Sequence, residues 1–418
     1  MNWEVKNYPM YYGGVKQDCA KSVIVGNLIF LSAMDGCDPE TGQVLSDKLE
    51  EQMIVALDKI KGALEEVGSS MENIVKTRIF LKAGQDYSRM REIELSYYRE
   101  HALSLTEESP ASTVNLVRSL EDPDLLVSIE AISVLSKDRM GWEVRKYPLY
   151  YGGVKQLYSR SAVVGNLIFL SAADARSPET GKVEPNILQD LEGQLAAIHD
   201  NIELAMKEVG SSINNTIKTF QFLKDRAPRT MWKAILEYYQ KHARVLIEQV
   251  APVSTFMQVP SLTDPELLAE VEAIGIISRD RPGWELNILP LYYGENRRYF
   301  SKAAVVGNLI FCSGNAGGTV ETGEVESDVL EDQMANSLIR TKLVMEEAGS
   351  SLNNIIKSFY MVKNLEDIPR IRKVELEYYR KCAPKLIKEP PAKTFIQPQS
   401  MANPRYLLEI EHIGVTSR

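Results

Sequence analysis

The sequence predicts an α+β protein made of three tandem β-β-α-β-α-β-β domains that close on one another as an intramolecular pseudo-trimer. Three observations carry this expectation. The same motifs recur in the same order three times along 418 residues, with a period of roughly 140 residues, which is domain-sized and far too long for a solenoid. Each copy alternates strand signals with two amphipathic helical stretches, giving one sheet with two helices over one face. The other face also needs cover, and three copies supply it by packing sheet against sheet about a shared axis, as a cyclic trimer does. The expected domains are residues 1–140, 141–281 and 282–418.

The recurrences are specific. Trp3-Glu4-Val5 returns as Trp142-Glu143-Val144 and Trp284-Glu285-Leu286, and the run Val25 to Phe30 returns at 164–169 and 306–311. Gly68-Ser69-Ser70, the pair Tyr97-Tyr98 and Ile129-Glu130-Ala131-Ile132 each have two later counterparts as well. In the first copy, Ser22–Val25 and Leu28–Ser32 flank Gly26-Asn27, a two-residue turn signal that marks a hairpin. Ser46-Asp47 offers a helix cap, after which Leu49, Met53, Leu57, Ile60, Leu64 and Val67 step by threes and fours until Gly68 closes the helix. Ile74–Leu81 reads as a strand, Ser88–Tyr98 as a second amphipathic helix, and Thr113–Val117 and Leu126–Leu135 as two strands around the turn Glu121-Asp122-Pro123-Asp124. The joints near 136–141 and 278–283 are short and polar, which suits close packing.

Each copy also opens with an aromatic extension. Residues 141–156 repeat residues 2–17 at twelve of sixteen positions, while the third copy keeps Pro290-Leu291-Tyr292-Tyr293-Gly294 and then diverges. The tryptophans are expected to seal the joints between copies. The tyrosines either do the same or line ligand clefts, where a ring can stack on a planar ligand.

Composition narrows the function. Lys and Arg total 48 against 57 Asp and Glu, a net charge of −9, so no basic excess points to nucleic acid. No run approaches the roughly 20 apolar residues that span a bilayer, and the N-terminus lacks the regions of a signal peptide. The four cysteines form no CxxC pair, and the histidines His101, His199, His242 and His412 form no metal-binding pattern. The expectation is a cytoplasmic protein with no cofactor and no metal.

Several motifs together resemble the YjgF/RidA family of imine and enamine deaminases: Val25 to Ser32, Pro39-Glu40-Thr41-Gly42, the Gly-Ser-Ser helix end, Ile74-Val75-Lys76-Thr77, and Pro110-Ala111-Ser112-Thr113 leading to Ile129-Glu130-Ala131-Ile132. The resemblance covers most of the chain. It implies a chorismate-mutase-like fold in which three RidA-like repeats replace a homotrimer, leaving three inequivalent clefts at the interfaces. It also implies an arginine after the Pro-Ala pair that holds a substrate carboxylate, and a glutamate on the last strand that positions the attacking water. The glutamate matches Glu130, Glu272 and Glu411. The arginine is matched nowhere, because Ser112, Ser254 and Lys393 occupy its positions. Serine carries no charge, and lysine lacks the planar bidentate fork. The third copy alone keeps Ser-Gly after its second strand, as Ser313-Gly314, where the others have Ser32-Ala33 and Ser171-Ala172.

The resulting expectation is a small-molecule hydrolase or deaminase acting on a C=N bond. Lys393 would anchor the substrate, Glu411 would orient water, and Ser313 would help bind developing charge. Ser112, Glu130, Ser254, Glu272, Ser32, Ser171, Tyr12, Tyr151 and Tyr293 would line substrate-binding clefts. Two alternatives stay open. One is a non-catalytic metabolite-binding protein, because the arginine is missing three times; the other is a Ser/Lys amidase-type hydrolase on a cyclic amide. The expected partner is a small molecule, with no nucleic acid and no membrane. Fusion of the copies makes a monomer or weak dimer the expected state.

Overall fold

Glycine pairs shape the start of each repeat in the computed structural model, which describes residues 3–224 and 228–417. In repeat 1, Val5–Tyr12 folds back on Val15–Val25 through Gly13 and Gly14, both at positive φ (54° and 77°). A Cβ at Gly13 would stand 2.7 Å from the Glu40 carbonyl oxygen, so the tight turn needs glycine there. The aromatic extension is therefore a strand in its own right, one more than the motif order predicts. Val15–Val25 then pairs with Leu28–Leu31 across Gly26-Asn27, and the helix Leu49–Glu66 buries Met53, Leu57, Ile60 and Leu64. Its N-cap is Lys48, with no side-chain cap; Ser46 Oγ accepts the Lys48 N–H at 3.1 Å instead.

Ile74–Lys82 and Ala111–Val117 run parallel, joined by the helix Tyr87–His101, whose N-cap Asp86 accepts the Arg89 N–H. The last strand, Val127–Val134, lies between Leu28–Leu31 and Ile74–Lys82, antiparallel to both. Repeats 2 and 3 follow the same plan, for example in Thr216–Lys224 against Val253–Val259 and Ile355–Val362 against Ala392–Gln397.

The three sheets join edge to edge into a ring. Ala111 pairs with Ser159, Val253 with Ser301, and Ala392 with Ala20, each in parallel register. Copy 3 thereby returns to copy 1, and the edges that would be open in a single repeat are covered. Inside the ring the exposed faces of the sheets meet. At one end Trp3, Trp142 and Trp284 pack edge to face with centroids 4.6–5.0 Å apart, an arrangement that favours aromatic quadrupoles. The tryptophans thus seal all three joints at once, on the axis.

Between that cluster and a layer containing Phe80 and Phe222 sits a buried charged layer. Lys76 pairs with Glu272 (2.8 Å), Lys218 with Glu411 (2.9 Å) and Lys357 with Glu130 (2.5 Å). Every pair crosses a repeat boundary. The symmetry breaks at one position: Arg78 stands where Phe220 and Phe359 stand in the other copies, pairs with Glu130 and Glu272, and lies 4.8 and 5.7 Å from those two rings.

Candidate functional site

Three clefts lie at the repeat boundaries, each built by the same backbone device. The residue at the arginine position of one repeat is held by the serine of the next: Lys393 N–H donates to Ser32 Oγ (2.7 Å), Ser112 N–H to Ser171 Oγ (2.8 Å) and Ser254 N–H to Ser313 Oγ (2.8 Å). Each serine hydroxyl in turn donates to a carbonyl on the preceding strand at 2.6 Å. Ser32, Ser171 and Ser313 are thus satisfied on both sides, and their hydroxyls stitch repeats together rather than point free into a cleft.

Lys393 faces repeat 1. Its Nζ bonds Glu375 and lies 3.3 Å from Asp18, while Arg372 beside it pairs with Asp18 and Glu121. This lysine cleft, a cavity of about 290 Å³, also carries Asp35 and Asp122. Tyr12 lines it, 3.3 Å from Lys59, and Lys59 pairs with Asp35 at 2.6 Å. The cations here are already matched by carboxylates of the protein.

Glu411 is elsewhere. With Glu130 and Glu272 it belongs to the charged layer on the axis, bonded to Lys218 and Thr255. The structure therefore does not bring Lys393 and Glu411 together, and the expectation that they share a cleft gives way to two separate sites. Arg78 and Lys76 hold the Glu272 carboxyl well below the usual carboxylate range, and Lys357 with Arg78 holds Glu130 low, in both cases against burial. All three glutamates are paired with lysines across repeat boundaries, inside the core. His412, the neighbour of Glu411, faces the opposite side and meets Ser358 at 2.9 Å, as strand alternation requires.

The carboxyls that reach the clefts lie two residues earlier on the same strands. In repeat 3 that residue is Glu409, in repeat 2 Glu270, and in repeat 1 Ser128. Residues two apart on a strand share a face about 7 Å apart, so one points to the cleft and the next to the axis. The paired glutamates Glu270/Glu272 and Glu409/Glu411 were the signal in the sequence for this second set.

In the cleft between repeats 1 and 2, Ser112 Oγ accepts from Thr77 (2.9 Å) and Arg91 (3.1 Å), and Arg91 also pairs with Glu94 and covers Tyr158. Arg176 covers Tyr151 and pairs with Asp174, which accepts from the Tyr151 hydroxyl. Burial and then the Asp174 charge push the Glu270 carboxyl up to about 8. Its oxygen accepts from Thr263 at 3.0 Å. Both arginines are again spent on internal partners.

The cleft between repeats 2 and 3 differs. It is a cavity of about 250 Å³ lined by Ser254, Gly314, Glu324, Glu409, Arg298, Arg340, Tyr293 and the rings of Trp232, Phe256, Phe300 and Tyr406. Ser254 Oγ is turned onto Gln221 at 2.9 Å. Glu409 is 6% exposed, and burial followed by the nearby Glu411 charge pushes its carboxyl up to about 8. Glycine at 314 is what admits it: a Cβ there would fall 1.9 Å from Glu409 Oε1. Arg340 donates to the Tyr293 hydroxyl at 2.6 Å, and both Arg340 and Arg298 lie over the Tyr293 ring. Neither arginine has a carboxylate partner among the described residues. The reason is visible by register: Arg340 occupies the position of Lys59, but the place of its partner Asp35 is taken by Ala316, and that of Glu121 by Ala402. One cleft thus combines a buried carboxyl held at about 8 with two arginines that make no ion pair among the described residues, a set able to hold an anion beside a proton donor.

Comparison with known proteins agrees with this architecture. The family described as Endoribonuclease L-PSP matches residues 17–135, 153–277 and 295–416, once in each repeat. A RutC family protein of Pyrococcus abyssi is 32% identical over 114 residues, 27% of this chain and 84% of that protein. The 2-iminobutanoate/2-iminopropanoate deaminase of Escherichia coli (strain K12) is 29% identical over 114 residues with the same coverage of both chains. A chorismatase crystal structure superposes with a TM-score of 0.51 over 82% of this chain and 93% of that one at 14% identity, a likeness of fold. With a match in each of three successive repeats, the chain belongs to the Endoribonuclease L-PSP family, the YjgF/RidA group that its motifs resemble.

Proposed function

We propose that the protein hydrolyses the C=N bond of a small 2-imino acid, and that it does so in the cleft between repeats 2 and 3. The observation that carries this reading is the convergence of Glu409 with the unpaired Arg298 and Arg340 in one cavity. The arginines replace, from other strands and helices, the guanidinium missing at Ser254, and anchor the substrate carboxylate. Glu409, protonated at neutral pH, gives its proton to the imine nitrogen. As water adds to the carbon, the resulting carboxylate takes a proton from that water and returns it to the carbinolamine nitrogen; as ammonia leaves and C=O forms, the hydroxyl proton passes back to Glu409. Imine and water become 2-oxo acid and ammonia, and Glu409 ends as it began. The deaminase named among the relatives supports this reaction type at the level of the family.

The test is ammonia release from 2-imino acids generated in situ by an amino-acid oxidase. Glu409→Gln is expected to lower the rate by about a hundredfold or more, the range for loss of a general acid–base group. Arg340→Gln raises KM, since it removes charge from the carboxylate anchor. Release well above the spontaneous rate that survives Glu409→Gln and falls in Lys393→Met instead would move the chemistry to the lysine cleft. A protein that binds 2-oxo acids yet releases no ammonia from any imine would favour the binding-protein reading.

A further inference from the structure

We infer that the cleft between repeats 2 and 3 selects a planar aromatic monocarboxylate, so that its substrate is a 2-imino acid with an aromatic side chain. This rests on the reading of that cleft as the working site and names the substrate class it takes. The evidence is the way the three clefts diverge at matched positions. Trp232, on the helix Pro228–His242, stands where Arg91 and Arg372 stand in the other two. Phe300, on the strand Asn296–Val306, stands where Tyr158 and Cys19 stand. In the cleft between repeats 1 and 2 this pair is an arginine over a tyrosine, 4.9 Å apart, with the charge taken up by Glu94. Between repeats 2 and 3 it becomes two uncharged aromatic rings, an indole and a phenyl, 6.2 Å apart and inclined by 30°, with Phe256 6.5 Å from Trp232.

Trp232 and Phe300 remain partly exposed, and both open onto the cavity. They form an apolar wall that no side chain of the protein covers among the described residues. Charge points the same way. The cavity carries Arg298 and Arg340, neither in an ion pair among the described residues, and their guanidinium groups suit a single substrate carboxylate. Arg298 and Phe300 share one face of their strand, so the anion anchor and the ring wall stand side by side, as the two ends of an aromatic 2-imino acid require.

Calorimetric titration of the full chain with phenylpyruvate and with pyruvate tests the inference without any turnover. Burying a phenyl ring against aromatic walls, in place of a methyl group, is expected to tighten binding about tenfold to a hundredfold. Trp232→Leu is expected to bring the two affinities within about threefold, and Trp232→Phe to keep most of the preference, which controls for folding. Arg340→Gln weakens both ligands alike, because each carries the same carboxylate. Equal affinities in the wild type, or a preference unaltered by Trp232→Leu, would overturn the proposal. Phenylpyruvate preference together with no imine hydrolysis would sink the catalytic reading, and with it the imino-acid substrate, while the cleft's selection of an aromatic monocarboxylate would stand.

Discussion

Glu409 makes a measurable claim about stability as well as catalysis. Its carboxyl sits at about 8 instead of the usual 4.5, chiefly because the charged form is desolvated. Between those values the folded protein holds a proton that the unfolded chain has lost, so stability declines as pH rises. Below about pH 4.5 both states are protonated and there is no penalty; above about pH 8 the folded state must ionise a buried carboxylate and the penalty is complete. At about 1.4 kcal/mol per pH unit, the loss from roughly pH 5 to pH 9 is on the order of 4 kcal/mol. Glu409→Gln keeps the shape but cannot ionise. Its stability relative to wild type is therefore expected to climb by about that amount over the same range, even if a buried amide costs about 1–3 kcal/mol at every pH. Urea unfolding followed by far-ultraviolet circular dichroism at several pH values gives the difference directly. Glu270, also held near 8, titrates in both proteins and cancels. A variant-minus-wild-type difference that stays flat with pH would refute the burial argument, and with it the assignment of Glu409 as a proton donor at neutral pH.

Two further outcomes follow from the charged residues. Lys393→Ala is expected to destabilise by about 3–5 kcal/mol, because it leaves the Glu375 carboxylate buried and unpaired; the double variant Lys393→Met/Glu375→Gln should recover most of this in thermal unfolding. Wild-type stability in Lys393→Ala would show that the pair is not structural. On the axis, the three Lys–Glu pairs already balance one another, and Arg78 is a fourth cation at a position held by phenylalanine in the other copies. Arg78→Phe is therefore expected to be neutral or stabilising by about 1–3 kcal/mol, while a loss of similar size would mean that the guanidinium is needed to hold Glu130 and Glu272 apart.

The repeat, the order of the core elements and the need to cover a second sheet face were all legible in the sequence, because each depends on local periodicity. The leading strand of each repeat was not, since Tyr-Tyr-Gly-Gly reads equally as a seal or as a cleft wall until its hairpin partner is known. The candidate site was legible only in part. Gly314 was singled out as the distinctive residue of copy 3, but its physical reason, room for the Glu409 carboxyl, depends on a neighbour nearly a hundred residues away.

By itself the sequence determined that three copies of one family domain form the chain, that the family arginine is absent from all of its usual positions, and that the clefts must differ. Tertiary structure decided which carboxyls face a cleft and which face the axis. On a strand that runs from cleft to core, a shift of two residues keeps the same face yet exchanges the cleft for the ion layer on the axis. It also decided which cations are free. Lys393, Arg372, Arg91 and Arg176 all meet carboxylates, whereas Arg298 and Arg340 make no ion pair among the described residues, with Ala316 and Ala402 standing where copy 1 keeps its acids. Charge balance is a property of neighbours in space, and no local pattern encodes it.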